Sequence, residues 1–339
     1  MPQNQPPKKS PNQNLKLSDF DYRLPNELIA QQPIEPRDHS RLLVVHTTTG
    51  RLEHRQFFHI AEYLSAGDVL VINTSKVIKA RLHGTKPSGG KVEIFLLTSL
   101  GNNRWHCLVK GSVKPDMRIQ IQPDVSATMI QPIDEMWEVS FTTADITQYG
   151  EVPLPPYIKT AQPLERYQTV YAEQAGSVAA PTAGLHFTEA LLQHLKDRGV
   201  IIVPVILHVG LGTFAAVKTE NVLDHTMHAE YAVLPKATAD AIAQAKRIGK
   251  KVIAVGTTSC RTVEAFHGQA NEGWVNIFIY PGYTFNTIDA LITNFHLPKT
   301  TLLMLVSALA GTELIKQAYA EAINQHYRFF SFGDAMLIT

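Results

Sequence analysis

An apolar run in the middle of the chain ends at a histidine, and this stretch has the residues best suited to chemistry. Seven of the eight residues from Val200 to Leu207 are β-branched or aliphatic, which predicts a strand buried on both faces. His208 follows directly, at the carboxyl end of that strand, where open α/β sheets bind ligands. The next turn supplies flexible backbone, a hydroxyl and an aromatic ring: Gly210, Gly212, Thr213 and Phe214. Together they predict a substrate pocket.

A second group of ionisable side chains comes shortly after His208. His225, His228 and Glu230 bring two imidazoles and a carboxylate before another apolar run. Each feature also has an ordinary explanation, because Gly-x-Gly is common in turns and a histidine at a strand end is commonly a hydrogen-bonded structural group. Taken together, these groups favour an active site.

Further acid and base candidates lie elsewhere in the carboxyl-terminal half: His186, Tyr283 and His296. Imidazoles titrate near neutral pH, so modest tuning suits them to proton transfer. His186, taken alone, is better explained as a buried hydrogen-bonded residue. The chain has no Gly-x-Ser-x-Gly elbow, no P-loop and no Rossmann glycine fingerprint, which disfavours a hydrolase triad and an NTPase.

The same histidines permit a metal site as an alternative. His208, His225, His228 and Glu230 offer ligands that suit zinc or iron. None of their spacings is a standard zinc signature, so we expect no bound metal.

One predicted helix starts with a run of hydroxyl residues. Gly256-Thr-Thr-Ser-Cys-Arg261 follows a short strand pattern, Lys251 to Val255, and opens a helix. The amino end of a helix attracts an anionic group such as a carboxylate or a phosphate. The alternative is that the hydroxyls merely cap the helix.

The elements that position these residues are of two kinds. Strand and helix patterns alternate over residues 158–339, and together with residues 15–67 they predict an α/β domain: a mainly parallel sheet with flanking helices. Residues 68–157 show short β-rich runs and no helical period, which predicts an all-β barrel or sandwich. Residues 1–14 are rich in Pro, Gln, Asn and Lys, and we expect a disordered tail.

The β-rich stretch has an uneven charge distribution. Residues 76–118 carry nine Lys or Arg against two acidic residues, while residues 119–158 carry six acidic residues and no Lys or Arg. A basic face of this kind suits a phosphate backbone, although an ordinary solvated face is the alternative.

Composition excludes several classes of protein. The 339 residues are 45% hydrophobic with a formal net charge of +1, so the chain is not a globally basic nucleic-acid binder. Its two cysteines, Cys107 and Cys260, form neither a disulfide framework nor a zinc motif, as expected in a reducing cytosol. The longest apolar run is far shorter than the ~20 residues of a membrane helix. We expect a soluble intracellular protein.

Nine motifs, in order, resemble one enzyme family. They are Asp19-Phe-Asp-Tyr-x-Leu-Pro, Arg37-Asp-x-Ser-Arg-Leu, Asn73-Thr-Ser-x-Val, Ala180-Pro-Thr-Ala-Gly-Leu-His-Phe-Thr188, His208-Val-Gly-x-Gly-Thr-Phe214, His228-x-Glu230, Val255-Gly-Thr-Thr, Tyr280-Pro-Gly-Tyr-x-Phe and Leu291-Ile-Thr-Asn-Phe-His-Leu-Pro298. This colinear set closely resembles the S-adenosylmethionine:tRNA ribosyltransferase-isomerases of queuosine biosynthesis, from about Leu15 to the C-terminus. Ala216, where Pro is expected, and Cys260 depart from the pattern without removing a polar group.

The resemblance implies an activity and its partners. The ribosyl group of S-adenosylmethionine is transferred and isomerised onto 7-aminomethyl-7-deazaguanine at the wobble position of tRNA. The product is epoxyqueuosine-tRNA, and adenine and methionine are released. The resemblance further implies an α/β domain with an inserted β-barrel and no cofactor or metal, because S-adenosylmethionine is a consumed substrate. We expect a cytoplasmic monomer that does not bind membranes.

Roles for individual residues follow as hypotheses from this chemistry. A base must remove a ribose 5′ proton acidified by the sulfonium, and an acid must assist the departure of adenine. The proton-transfer candidates are His186, His208, His228, Glu230 and His296. Substrate contacts are expected from Asp19, Tyr22, Gly210, Gly212, Thr213, Phe214, Thr257, Thr258, Arg261, Tyr283 and Asn294. Among these, Thr257, Thr258 and Arg261 suit the methionine carboxylate, and Phe214 or Tyr283 the sulfonium. Contacts to the tRNA backbone are expected from Lys76, Lys79 and Arg81.

Two alternatives from other classes are kept. A metal-dependent hydrolase would use the histidine cluster and lose activity to chelators. A non-catalytic RNA-binding protein would use the basic β-rich region and consume no S-adenosylmethionine.

Overall fold

The computed structural model describes residues 15–210 and 217–339. The expected tail at 1–14 and three predicted pocket residues, Gly212, Thr213 and Phe214, lie outside this range. The described chain forms two units. The first unit contains residues 15–74, 181–207 and 217–339, and the second contains residues 75–180 and 208–210.

Seventeen strands and five α-helices occur within the described ranges. The strands are β1 (Arg41–Val45), β2 (Leu52–Gln56), β3 (Val69–Asn73), β4 (Ser75–Val77), β5 (Arg81–Thr85), β6 (Lys91–Gly101), β7 (Arg104–Lys110), β8 (Arg118–Gln122), β9 (Val125–Ile133), β10 (Met136–Phe141), β11 (Gln174–Ser177), β12 (Ile201–Leu207), β13 (Glu230–Leu234), β14 (Val252–Val255), β15 (Asn271–Val275), β16 (Ala290–Asn294) and β17 (Ala335–Ile338). The α-helices are α1 (Glu189–Asp197), α2 (Lys236–Arg247), α3 (Gly256–Ala265), α4 (Thr301–Ala310) and α5 (Thr312–Asn324).

Short 3₁₀ helices connect these elements in both units. They span Leu17–Phe20, Asn26–Leu28, Arg37–His39, Phe57–Tyr63, Ile146–Tyr149, Leu164–Tyr167, Thr182–His186 and Val222–Asp224. The first of them, Leu17–Phe20, contains Asp19, and Tyr22 follows it closely along the chain.

The first unit is built on a nine-stranded sheet of the described residues, in the order β15-β13-β12-β3-β14-β16-β17-β1-β2. The four central strands β12, β3, β14 and β16 run parallel, as do β17 and β1, whereas the other four pairs are antiparallel. The prediction of a mainly parallel sheet is therefore wrong, and the sheet is mixed. Helical crossovers give the parallel centre, but the tight turn between β1 and β2 imposes antiparallel pairing.

β3 lies at the centre of this sheet, although the sequence places Val69–Asn73 within the β-rich stretch. All five of its residues are buried, as expected of a strand covered on both faces. Because β12, β3, β14 and β16 are parallel, their carboxyl ends meet at one edge, which we call the carboxyl edge. β13 is antiparallel to β12, so Glu230 begins it at that same edge.

Local signals set several helix ends. Thr188 precedes a helical pattern and is predicted from the sequence to cap it; its hydroxyl accepts a hydrogen bond from the Leu191 amide at 3.1 Å. The pattern of residues 164–173 predicts a helix, but the structure has one 3₁₀ turn there, Leu164–Tyr167, and β11 starts at Gln174. The sequence also predicts a strand from Val275 to Tyr280, whereas the observed strand β15 ends at Val275, where its pairing with β13 ends.

The second unit contains a closed barrel in the order β10-β7-β6-β5-β8-β9, in which all neighbouring strands are antiparallel. Its interior is filled by side chains that include Leu82, Ile94, Cys107, Ile119 and Val139, all fully buried. The barrel interpretation is thereby confirmed, and the sandwich alternative is not observed. β4 and β11 form a separate small parallel sheet in this unit.

No helix among the described residues is long and apolar enough to cross a membrane.

Candidate active site

A buried ion pair joins β13 to α3 at the carboxyl edge of the first unit. One terminal nitrogen of Arg261, Nη1, donates to Oε2 of Glu230, and both side chains are less than 10% exposed. The Nε and Nη2 atoms of Arg261 are also buried, and they have no hydrogen-bond partner among the described residues. Unsatisfied buried donors are costly, so a guanidinium held in this way is prepared to bind an anionic ligand.

The amino end of α3 adds further donors beside this pair. α3 begins at Gly256, whose φ of +83° suits glycine, directly after β14. The residue before the helix, Val255, offers no side-chain cap. The hydroxyls of Thr258 and Ser259 are buried without a hydrogen-bond partner in the described ranges. They therefore do not cap α3, and the helix end suits a carboxylate or a phosphate.

Glu264 lies one turn after Arg261 on α3 and holds the loop that carries Tyr283. Its side chain is fully buried. The carboxylate accepts hydrogen bonds from the Tyr283 hydroxyl at 3.1 Å and from the amides of Asn286, Thr287 and Ile288, each at 2.9 Å. Sequence reasoning missed this residue, because an acidic side chain within a helix gives no sign that it folds inward.

The ring of Tyr283 is presented as an aromatic surface rather than as an acid or a base. Burial, followed by the neighbouring Glu264 carboxylate, raises the pKa of its phenol well above the usual range. The hydroxyl therefore stays protonated at neutral pH, and it donates to Glu264.

His186 is enclosed by partners from three distant segments. Its Nδ1 lies 2.7 Å from the Ser40 hydroxyl, and its Nε2 lies 3.1 Å from the Asn294 amide nitrogen. Its ring stacks on Phe57 with centroids 4.9 Å apart. Burial, and then the charge of Arg328, lower its pKa to about 3. His186 is thus a neutral, hydrogen-bonded imidazole, which favours the structural alternative.

His296 is equally enclosed, at the end of β16. Its Nε2 lies 2.9 Å from the Thr293 hydroxyl, and its amide donates to the Tyr319 hydroxyl at 2.8 Å. Tyr22 donates a short hydrogen bond to the His296 carbonyl. Burial lowers the pKa of the imidazole to about 3. Asp19 and Tyr22 line a separate pocket of about 400 Å³ against α4 and α5.

These two buried imidazoles predict a loss of stability in acid. Below pH 6.5 the unfolded chain binds a proton at each histidine, but the folded chain does not until about pH 3. Stability should therefore fall as the pH falls, by about 1.4 kcal/mol per pH unit for each imidazole. Urea unfolding between pH 7 and about pH 5 measures this slope. His186→Asn should reduce it, whereas the exposed His39→Gln should not; equal slopes in both variants and the parent would contradict the prediction.

His208 belongs to the second unit, where it is half-buried. Its Nδ1 lies 2.8 Å from the Ser75 hydroxyl, and burial lowers the pKa of the imidazole. The following backbone is fixed, because the Val209 amide donates to the Ser177 hydroxyl at 2.8 Å. Gly176 has a φ of +152°, and a Cβ placed on it would come within 2.6 Å of the His208 ring. The absence of a side chain at Gly176 therefore leaves the space that the imidazole occupies.

The remaining histidines of the cluster are more open. His228 is exposed, and His225 packs its ring edge to face with Phe278 at 5.3 Å. Burial, followed by the charge of His228, lowers the pKa of His225. Across residues 15–210 and 217–339, no group of three or more His, Cys, Asp or Glu side chains is arranged to bind a metal ion.

The predicted tRNA contacts all lie in the second unit. Lys76 and Lys79 are exposed. Arg81 is partly buried, 3.7 Å from Glu93, and its guanidinium lies 5.8 Å from the centre of the Phe95 ring. The two lysines are therefore the more accessible cations.

The fold and the buried groups define a class of protein. The first unit has a mixed sheet and, at its carboxyl edge, the start of α3 with buried donors that have no hydrogen-bond partner in the described ranges; the second unit has a closed β-barrel. Residues 17–338 match the family model described as "Queuosine biosynthesis protein". The chain belongs to this family.

Similar proteins agree with this assignment. A relative from Thermotoga maritima is 50% identical over 334 residues, covering 96% of this chain and all of the relative, and one from Symbiobacterium thermophilum is 52% identical over 342 residues with the same coverage. Both are named S-adenosylmethionine:tRNA ribosyltransferase-isomerase. A crystal structure of S-adenosylmethionine tRNA ribosyltransferase from Thermotoga maritima aligns with a TM-score of 0.57 and 40% identity, covering 95% of this chain and all of that chain.

Proposed function

We propose that this protein is an S-adenosylmethionine:tRNA ribosyltransferase-isomerase. It transfers the ribosyl group of S-adenosylmethionine to 7-aminomethyl-7-deazaguanine at the tRNA wobble position and isomerises it to the epoxyqueuosine product. Adenine and methionine are released. S-adenosylmethionine is a substrate, and the reaction uses no further cofactor and no metal. We propose that the enzyme acts as a monomer in the cytoplasm.

The relationship to named enzymes carries this proposal. Relatives at about 50% identity share the name over 96% of this chain, so the similarity is not confined to one domain. The family model likewise extends from residue 17 to residue 338. The buried groups at the carboxyl edge supply the chemistry that binding a charged amino-acid substrate requires.

The methionine carboxylate is assigned to Arg261 and the start of α3. The Nε and Nη2 atoms of Arg261 form the two-donor side of the guanidinium, which matches the two oxygens of a carboxylate. The hydroxyl of Thr258 and the adjoining Thr257 lie on the first turn of the same helix. In this arrangement Glu230 holds Arg261 in place and offsets its charge. Gly210 and the Tyr283 ring are assigned to the nucleoside and the sulfonium.

Proton transfer is assigned to the accessible histidines. His208 is the proposed base that removes a ribose 5′ proton, which the adjacent sulfonium acidifies. His228 is the proposed acid that assists the departure of adenine. The amine of the deazaguanine then attacks the ribosyl group, and an epoxide closes as methionine leaves. His186, Asn294 and His296 are assigned to positioning, because both ring nitrogens of His186, Nε2 of His296 and the amide nitrogen of Asn294 already have hydrogen-bond partners in the core.

Contacts to the tRNA backbone are assigned to the second unit. Lys76 and Lys79 are exposed, whereas Arg81 is partly neutralised by Glu93. Phosphate contacts of this kind make binding dependent on salt, and each lysine that is lost should reduce that dependence. Asp19 and Tyr22 are proposed to shape the pocket that they line.

Gly176→Ala should lower activity by displacing His208. The added Cβ would collide with the imidazole at 2.6 Å, so the ring must move and its contact with the Ser75 hydroxyl is lost. We expect kcat to fall about 10- to 100-fold, less than the roughly 100- to 10,000-fold that general-base catalysis contributes, because the imidazole is displaced and not removed. The release rate of adenine measures this. Gly89→Ala is a matched control, since Gly89 also has a positive φ but has no atom near its Cβ.

The function is tested by the release of adenine and methionine from S-adenosylmethionine. The purified chain is incubated with tRNA carrying 7-aminomethyl-7-deazaguanine, and with tRNA carrying unmodified guanine. We expect release only with the modified tRNA, and we expect chelators to leave the release unchanged. Binding of tRNA without any release would favour a non-catalytic RNA-binding protein, and release that chelators abolish would favour metal-dependent chemistry.

A further inference from the structure

Trp274 is the most exposed large apolar side chain among the described residues, with 58% of its surface exposed. It lies on β15, the strand at one end of the nine-stranded sheet. The register of β15 and β13 places it opposite Tyr231. The two rings meet edge to face, with centroids 5.8 Å apart and planes at 73°. Tyr231 therefore supports the indole while leaving much of its surface open to solvent.

This aromatic pair lies next to the buried ion pair in sequence and in register. Glu230 pairs with Val275, and the following rung pairs Tyr231 with Trp274. Because side chains alternate along a strand, Tyr231 and Trp274 face away from Glu230. Both rungs are at the carboxyl edge, where β13 begins and β15 ends. The exposed rings are therefore one rung from Glu230 along the strands, on the opposite face of the sheet, and an RNA loop that crosses the carboxyl edge can reach both faces.

We propose that Trp274 and Tyr231 form a platform on which an unpaired base of the tRNA anticodon loop stacks, beside the nucleotide that is modified. The proposal rests on the proposed function, because that function brings a single-stranded loop to the carboxyl edge. Single-stranded RNA is recognised mainly by stacking of splayed bases on aromatic side chains. An exposed indole that is braced by a second ring is suited to that contact.

The charge of β15 favours a base over a phosphate. Residues 271–275 contain the exposed acid Glu272 and no Lys or Arg, so the strand lacks the cations that bind a phosphate backbone. The same strand is a poor template for a second copy of this chain. It has only five residues, and one of them, Glu272, is charged and exposed.

Binding to a labelled RNA stem-loop tests the platform. The probe is a fluorescein-labelled anticodon stem-loop that carries 7-aminomethyl-7-deazaguanine, and its affinity is measured by anisotropy at several salt concentrations. Trp274→Ala should weaken binding about 5- to 100-fold, the range expected for loss of one base–aromatic stack. The slope of affinity against salt should stay unchanged, because no phosphate contact is lost. Trp274→Phe should retain most of the affinity.

Two controls make the result specific. Ile248→Ala removes another exposed apolar side chain, 52% exposed, and should bind the probe as the parent does. Two further probes each lack one base, on the 5′ or the 3′ side of the modified nucleotide. With one of these abasic stem-loops, the parent and Trp274→Ala should bind with equal affinity, because the base that stacks on Trp274 is missing.

The proposal is overturned if Trp274→Ala binds the intact stem-loop as tightly as the parent. It is also overturned if the variant changes only the oligomeric state in size-exclusion chromatography with light scattering, because the surface would then be an interface between copies. Failure of the proposed function is distinguishable, since it would appear as absent adenine release by the parent protein, whatever the stem-loop affinities are.

Discussion

Arg261→Lys should raise the KM for S-adenosylmethionine by about 100-fold or more, because hydrogen bonds to charged groups contribute about 1.5–3 kcal/mol each. The guanidinium holds Glu230 with Nη1 and keeps Nε and Nη2 for a ligand. A lysine keeps the positive charge but lacks the planar fork, so it cannot hold Glu230 and grip a carboxylate in the same way. Steady-state release of adenine at varied S-adenosylmethionine measures the effect.

The matched control for this substitution is Arg247→Lys, which changes an exposed arginine at the end of α2. It should leave the KM for S-adenosylmethionine unchanged. In Arg261→Lys, only the KM for S-adenosylmethionine should rise, and the KM for tRNA should change little. If Arg261→Lys has the parent's KM for S-adenosylmethionine, Arg261 does not bind the methionine carboxylate.

Arg261→Met has a different expected outcome, which concerns stability. Glu230 would remain buried without its cation, and breaking a buried pair by removing one partner costs about 3–5 kcal/mol. The double variant Arg261→Met/Glu230→Gln should recover part of that loss, because the buried carboxylate charge is removed together with the cation that it pairs with. Urea unfolding of the three proteins at neutral pH measures the coupling. Equal stability of the single and double variants would show that Glu230 is compensated elsewhere.

His208→Ala should lower kcat about 100- to 10,000-fold, the range that a general base contributes. The fold should persist, since His208 is only half-buried and lies outside the hydrophobic interior of the barrel. Adenine release under saturating substrates measures the loss, and circular dichroism checks the fold. Full activity of His208→Ala would exclude it as the base.

The pH dependence gives an independent check on His208. Burial lowers its pKa below 6.5, so the imidazole is neutral at physiological pH and becomes protonated only as the pH falls further. Activity that needs the neutral base should therefore be fully present above pH 6.5 and be lost below it. Ser75→Ala removes the contact to Nδ1 and should shift this acidic limb while lowering kcat less than His208→Ala does. An acidic limb above pH 6.5 would point to a different base.

Much of the fold follows from local pattern. Short β-rich runs without helical period predict the barrel of the second unit, and Thr188 is recognisable as the cap of α1. The mixed sheet could not be predicted in the same way, because strand direction depends on which strands become neighbours. β3 shows the same limit: the apolar run Val69–Ile72 is equally compatible with a barrel strand and with one of the central strands of the large sheet.

The sequence by itself determined the family, the two kinds of structure and the polar residues that end each strand, since these follow from residue type and period. Only the tertiary structure decided which of those residues meet. Arg261 pairs with Glu230 across 31 positions, and Ser40 reaches His186 across 146. Register and packing between distant elements make these contacts, so they left no pattern along the chain. The same packing enclosed His186 and His296 and left His208 half-buried, because desolvation depends on what surrounds a side chain.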